Sequence, residues 1–127
     1  MNSQLEVPLP AVPVSVRKAR ETVAAIATRL GASPQVVDDA RLCVSEAASN
    51  VVRHAYRNGR GDLMLTVASN DTELMVVVRD DGVGLADFRR DGDLGYGLRI
   101  IDELALRSGI SSAPNSGTEM RMVFALA

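Results

Sequence analysis

The sequence predicts a two-layer α/β (α+β) sandwich, with helices on one face of a mixed, mostly antiparallel sheet. Three observations carry this. Apolar residues recur at helical spacing through two long stretches before residue 57. An alternating segment at 63–68 and a more continuously apolar one at 74–78 then follow, joined by a turn at Asn70-Asp71. Strands joined by so tight a turn pair antiparallel, which excludes an all-parallel sheet.

The elements follow in order. Residues 4–9 alternate apolar and polar and suit a short strand, which Pro8 confines to a sheet edge or a strand end. Val16, Ala19, Val23, Ile26, Ala27 and Leu30 mark a first helix over about 13–30, with Gly31 as its stop. Ser33-Pro34 is a cap followed by a proline at the first helical position, so a second helix starts there. It is expected to run to about residue 56, ended by Asn58-Gly59. The two apolar segments then form a hairpin. A third helix fits 96–106, and a last strand covers 119–126, where Met120, Met122, Phe124 and Leu126 point one way.

A chain of 127 residues suits one domain, 1–127. Its 46% hydrophobic and 24% charged residues are those of a globular protein that can bury a core. A net charge of −2 gives no field to attract nucleic acid or an acidic membrane. The four aromatics, Tyr56, Phe88, Tyr96 and Phe124, are too few for a base-stacking platform. The single cysteine, Cys43, excludes a disulfide framework and a cysteine zinc cluster, and its apolar helical context suits a core thiol. No signal-peptide pattern or membrane-length apolar run is present, so the cytoplasm is the expected compartment.

The chemistry starts on the second helix. Glu46, Asn50 and His54 fall at i, i+4 and i+8 and so share one face. A carboxylate and an amide oxygen one turn apart suit a hard cation whose other ligands are phosphates and waters. The carboxylate can instead orient or deprotonate a hydroxyl. Alone, the stripe reads equally as the solvent face of an amphipathic helix. The second feature is Asp80-Asp81-Gly82-Val83-Gly84, directly after an apolar strand. Glycines at alternate positions let the backbone approach a ligand, and an acid at the strand end can accept from an exocyclic amine such as that of adenine. Alone, this is also an ordinary turn. No Gly-Lys-Ser/Thr is present, so a P-loop is excluded. Gly95-Tyr96-Gly97-Leu98 opens the third helix, where free amides can hold phosphate. Gly117-Thr118 precedes the last strand; Thr118 is a candidate donor to a phosphate or to a water near a base.

Singly weak, these features are specific in order and spacing. Glu46-x-x-x-Asn50-x-x-x-His54-Ala55-Tyr56, then Asp80-x-Gly82-x-Gly84, then Gly95-x-Gly97-Leu98, then Gly117-Thr118 resembles the four boxes of the GHKL ATPases. The resemblance spans about residues 4–126, and it implies the Bergerat fold of that superfamily. The compact length and the Glu-Asn-His-Ala-Tyr helix look most like the bacterial anti-sigma-factor serine/threonine kinases. These bind a sigma factor and phosphorylate a small anti-anti-sigma partner of the STAS type.

Carried over by residue, the resemblance implies that Asn50 coordinates Mg²⁺ on the phosphates of ATP. Glu46 becomes the general base or orienter for the partner's serine. Asp80 accepts from the adenine amine, with Gly82 and Gly84 beneath the base. Gly95, Gly97 and Leu98 end the nucleotide lid and offer amides to phosphate, and Thr118 supports the adenine site. The lid, 85–94, departs from the family by placing Asp93 where a basic or serine-rich residue is usual; Arg89 and Arg90 are either phosphate stabilisers or solvated loop charges. Related kinases are often dimers, so the first helix and N-terminal strand are candidate contacts for a homodimer.

Two further classes stay in view. A module of this fold that binds ATP or a partner without transferring phosphate is separated from the kinase by the role of Glu46. A sensor histidine kinase needs a phosphoacceptor histidine on a dimerisation helix, and the lone histidine, His54, sits in the nucleotide helix instead.

Overall fold

The computed structural model describes residues 3–56, 60–84 and 92–126. Strand β1 (Ser3–Pro10) leads into α1 (Pro13–Arg29) and α2 (Pro34–Asn50), which continues through a π-helical turn, Val51–Ala55. Then come β2 (Asp62–Ser69), β3 (Glu73–Asp80), α3 (Gly92–Leu104), β4 (Arg107–Ser112) and β5 (Thr118–Ala125). The expected stop at Asn58-Gly59 and most of the expected lid, including Arg89 and Arg90, lie outside the described residues.

The five strands form one sheet in the order β1-β2-β3-β5-β4. A mixed sheet was expected, yet all four described pairings are antiparallel. The crossover through α3 does bring β4 back in the direction of β3. However, β5 inserts between the two and runs against both. Strand β1 lies at an edge of the sheet, with β2 as its one neighbour among the described strands, as Pro8 predicts. The β2–β3 turn is an Asx turn: Asn70 Oδ1 accepts from the backbone N–H of Thr72 at 2.9 Å and of Glu73 at 2.8 Å.

Alternation decides which face is covered. Leu63, Leu65 and Val67 of β2, Leu74, Val76 and Val78 of β3, and Met120, Met122 and Phe124 of β5 point into one core with the helices. Each fully buried side chain of this size stabilises the fold by roughly 1.5–3 kcal/mol. The helices meet this face through small residues, Ala19, Val23 and Ala27 of α1 and Ala40, Val44 and Ala47 of α2, all buried. Cys43 is fully buried among them, and burial pushes its thiol up to about 12. Helix α2 starts as the sequence predicts: Ser33 Oγ accepts from the Val36 N–H at 3.2 Å, and Pro34 follows.

Two helix boundaries differ from expectation. Helix α3 begins at Gly92 rather than about 96, because Gly and Asp are residue types suited to a helix start and the later glycines do not break it. Gly95 and Gly97 therefore lie inside the helix. Helix α2 ends its regular spacing at Asn50, where the π turn takes over. Strand β4 was not resolved from the sequence, since Arg-Ser-Gly-Ile-Ser-Ser carries a single large apolar residue.

Candidate functional site: a polar rung at the end of the apolar sheet face

Strand register builds the site. On the covered face, successive cross-strand rungs are Val67–Val76–Met122 and Leu65–Val78–Met120, both apolar. The next rung is Leu63–Asp80–Thr118–Ser112, so the core face ends in three polar residues side by side. Ser112 Oγ and Thr118 Oγ1 are hydrogen-bonded at 2.9 Å. Asp80 is only 5% exposed, although it ends a strand.

Burial is the main cause that raises the Asp80 carboxyl above its ordinary 3.8. Backbone N–H groups of Gly82 and Thr118 counter this, and the charge of Asp81 adds to it. The Gly82 N–H donates to Asp80 Oδ1 at 2.8 Å. A carboxylate that accepts from two backbone donors still keeps lone pairs for a ligand's N–H.

The pocket around this carboxylate is small, with a cavity volume of about 20 Å³. Asn50, Asp80, Gly84 and Thr118 line it, with Ala47, Val51, Ala55, Val78, Ile110 and Met120 as apolar walls. Apolar walls with few convergent polar groups are the usual build of a small-molecule site. The Asn50 amide oxygen Oδ1 is buried and makes no hydrogen bond among the described residues. An orphaned hard oxygen on a pocket wall fits a divalent cation brought in on phosphates. No group of three or more His, Cys, Asp or Glu residues able to hold a metal occurs among the described residues. A cation here would therefore depend on its ligand's own oxygens.

The π turn decides which residues follow Asn50 on the wall. At five residues per backbone ring instead of four, the residue above Asn50 is Ala55. Ala55 does line the pocket with Asn50, whereas His54 is not among the described lining residues. The expected three-residue stripe thus becomes Glu46 and Asn50, followed by Ala55.

The glycines serve close approach. A side chain at Gly82 would overlap the Ala55 carbonyl, whose oxygen accepts from the Val83 N–H at 2.8 Å. Gly117 has φ +78° and lies against the carbonyl of Asp80. Glu46 is half-buried, outside the described pocket lining, and its carboxylate faces Gly97, which is buried. Leu98 packs against the core. Gly95 lies in the first half of α3.

Three contributors were not assigned from the sequence: Ser112, Ile110 and the hydroxyl of Tyr56. The first two belong to the unrecognised β4. Tyr56 closes the helix motif, but its partners depend on how the chain returns around residue 61.

A small pocket at the end of an antiparallel sheet, walled by one helix and bordered by glycine turns, has the build of a small-molecule site. The chain belongs to the histidine kinase-like ATPase domain family, which matches residues 9–124. It is similar to the anti-sigma F factor of Clostridium acetobutylicum, 30% identical over 121 residues that cover 85% of each chain. It is also similar to the anti-sigma F factor of Bacillus licheniformis, 28% identical, with 96% of this chain and 92% of that one covered. The serine-protein kinase RsbW of Bacillus thuringiensis is 31% identical over 80 residues, 63% of this chain and 50% of that one. In the crystal structure of the RsbU and RsbW domains of a Mycobacterium tuberculosis protein, the likeness covers 96% of this chain and 32% of that one. The TM-score is 0.77 at 21% identity, a likeness of fold. No described helix is long and apolar enough to cross a membrane.

Proposed function

We propose that this chain is an ATP-dependent protein serine kinase acting as an anti-sigma factor, formed by one domain over 1–127. It phosphorylates a small STAS-type anti-anti-sigma protein and binds a sigma factor in the cytoplasm, as a homodimer. The observation that carries this is the pocket itself. A buried carboxylate, Asp80, and an orphaned amide oxygen, Asn50 Oδ1, line one cavity whose other walls are mostly apolar. The names of the relatives support the kinase and anti-sigma parts.

Adenine fills the apolar part, with its exocyclic amine donating to Asp80. Gly82 and Gly84 keep the floor beneath it open, and Thr118 supports the same edge. Asn50 Oδ1 holds Mg²⁺ on the phosphates; when bound, the ion neutralises phosphate charge and fixes the geometry of the γ-phosphoryl group. Gly95, Gly97 and Leu98 lie inside α3, whose ladder takes their amides, so their part is close approach of the helix to the phosphates, with Gly97 leaving room for Glu46. Glu46 orients the partner's serine hydroxyl and takes its proton. The serine oxygen bonds to the γ-phosphorus as the bond to the β-phosphate oxygen breaks, giving phosphoserine and ADP. Phosphoryl transfer asks mainly for positioning and charge stabilisation, which this minimal set provides.

The test is transfer of label from radiolabelled ATP to a purified STAS-type anti-anti-sigma protein with Mg²⁺, comparing wild type with Glu46→Ala. Wild-type labelling of serine, lost by at least about 100-fold in the variant with ATP affinity kept, is the expected outcome. Full transfer by Glu46→Ala removes Glu46 from its role. ATP binding without transfer by wild type makes the chain a binding module.

A further inference from the structure

The adenine-reading loop is held from outside the pocket. Tyr56 is the first residue after the π turn that starts beyond Asn50. Its hydroxyl donates to the Asp62 carbonyl at 2.6 Å and accepts from the Asp81 N–H at 3.0 Å. Asp62 opens β2, and the next residue, Leu63, pairs across the sheet with Asp80. The phenol thus ties two adjacent strand ends together beside the carboxylate that faces the pocket. Its ring lies over Gly61, where any side chain would overlap it. Gly61 is therefore the space the ring requires.

The bonds that hold residues 80–83 include Asp81 N–H to Tyr56 Oη, Gly82 N–H to Asp80 Oδ1, Val83 N–H to the Ala55 carbonyl, and Asn115 N–H to the Val83 carbonyl. Two of these come from consecutive residues, Ala55 and Tyr56, at the end of the helix that carries Asn50. The bond at Asp81 holds the peptide that follows Asp80. Strand pairing reaches Asp80 through Leu63 and Thr118 and stops there, so the turn beyond it depends on these bonds.

We propose that Tyr56 is the positioning residue for adenine selectivity: its hydroxyl holds Asp81, and through it the aim of Asp80, in register with Asn50. The inference rests on the nucleotide-site reading above. A correctly aimed acceptor favours adenine, whose amine donates, over guanine, whose corresponding group is a carbonyl that meets Asp80 acceptor to acceptor. A loosened loop lets Asp80 turn away and so loses affinity for ATP while tolerating GTP better.

The experiment is calorimetric titration of wild type and Tyr56→Phe with Mg²⁺-ATP and with Mg²⁺-GTP, beside thermal melts. Phenylalanine keeps the ring over Gly61 and removes only the hydroxyl. Wild type is expected to bind ATP and to discriminate against GTP. In Tyr56→Phe the Kd for ATP is expected to rise about tenfold, and the ATP-to-GTP ratio to fall by a similar factor. General loosening of the fold lowers the melting temperature without changing that ratio. Wild-type selectivity in Tyr56→Phe overturns the proposal. Failure of wild type to bind ATP overturns both this proposal and the kinase reading. Amide exchange in wild type gives a second, independent check: the Asp81 N–H is expected to exchange at least about tenfold slower than a free amide. Free exchange there overturns the proposal whatever the variant does.

Discussion

The Glu46 carboxylate lies so close to Gly97 that a methyl group on Gly97 would come within 2.7 Å of Oε2. The atom in the way is the end of a flexible side chain, so Gly97→Ala displaces the carboxylate and leaves the helices in place. Alanine inside a helix is better than glycine by about 1 kcal/mol. Gly97→Ala is therefore expected to keep or raise the melting temperature while phosphoryl transfer falls at least about tenfold. Thermal melts and transfer assays on the same preparation check this. Unchanged transfer would show that the position of Glu46 does not matter.

Asp80 gives a pH signature. Its folded-state value is raised, chiefly by burial, so the folded protein favours the protonated form more than the unfolded chain does. The resulting stabilisation is complete below the ordinary 3.8 and is lost as pH rises through the raised value. Asp80→Asn cannot titrate. Its stability relative to wild type, without nucleotide, is expected to improve as pH rises above the ordinary 3.8 and then to level off once the raised value is passed. Denaturant melts across that range measure it, and a flat difference contradicts the assigned burial.

The turn glycines are expected to behave unlike Gly97. A side chain at Gly117 meets the backbone carbonyl of Asp80, and its φ of +78° is strained for any L-residue. Gly117→Ala is expected to destabilise the fold by roughly 1–3 kcal/mol from backbone strain, more if the overlap does not relax. Because β5 carries Thr118 beside Asp80, ATP affinity should drop with it. Urea titration and ATP binding on the variant check both parts.

Cys43 is inert in the folded state. It is fully buried, and its thiol is pushed up to about 12 by burial first, then by the charges of Asp39 and Glu46. An aromatic disulfide reagent at neutral pH is expected to label no thiol until denaturant unfolds the chain, and then one per molecule. Rapid labelling under native conditions contradicts the packing of α2.

Much of the fold was legible because periodicity and punctuation agree. Ser33-Pro34 starts α2, Gly31 ends α1 with φ +85°, and Asn70 turns the β2–β3 hairpin. Pro8 sits in an edge strand. Strand β4 was not legible, because six exposed, mostly small or polar residues show no alternation. The π turn was not legible either: an inserted residue leaves no mark in Val51–Ala55, yet it puts Ala55 rather than His54 on the pocket wall. Asn50, Asp80, Gly84 and Thr118 were named from spacing, and the structure gathers them in one pocket. The burial of Asp80 and the Ser112–Thr118 bond come from strand register, which only the folded sheet reveals.

The most direct test of the account is calorimetric titration with Mg²⁺-ATP of wild type, Asp80→Asn and Asn50→Ala. Wild type is expected to bind at one site and to gain about 2.7 kcal/mol of stability when free nucleotide exceeds Kd by about 100-fold. Asp80→Asn is expected to lose binding with its fold intact, and Asn50→Ala to lose the Mg²⁺-dependent part of the affinity. Absence of wild-type binding, or wild-type affinity in Asp80→Asn, would contradict the nucleotide site on which every catalytic assignment depends.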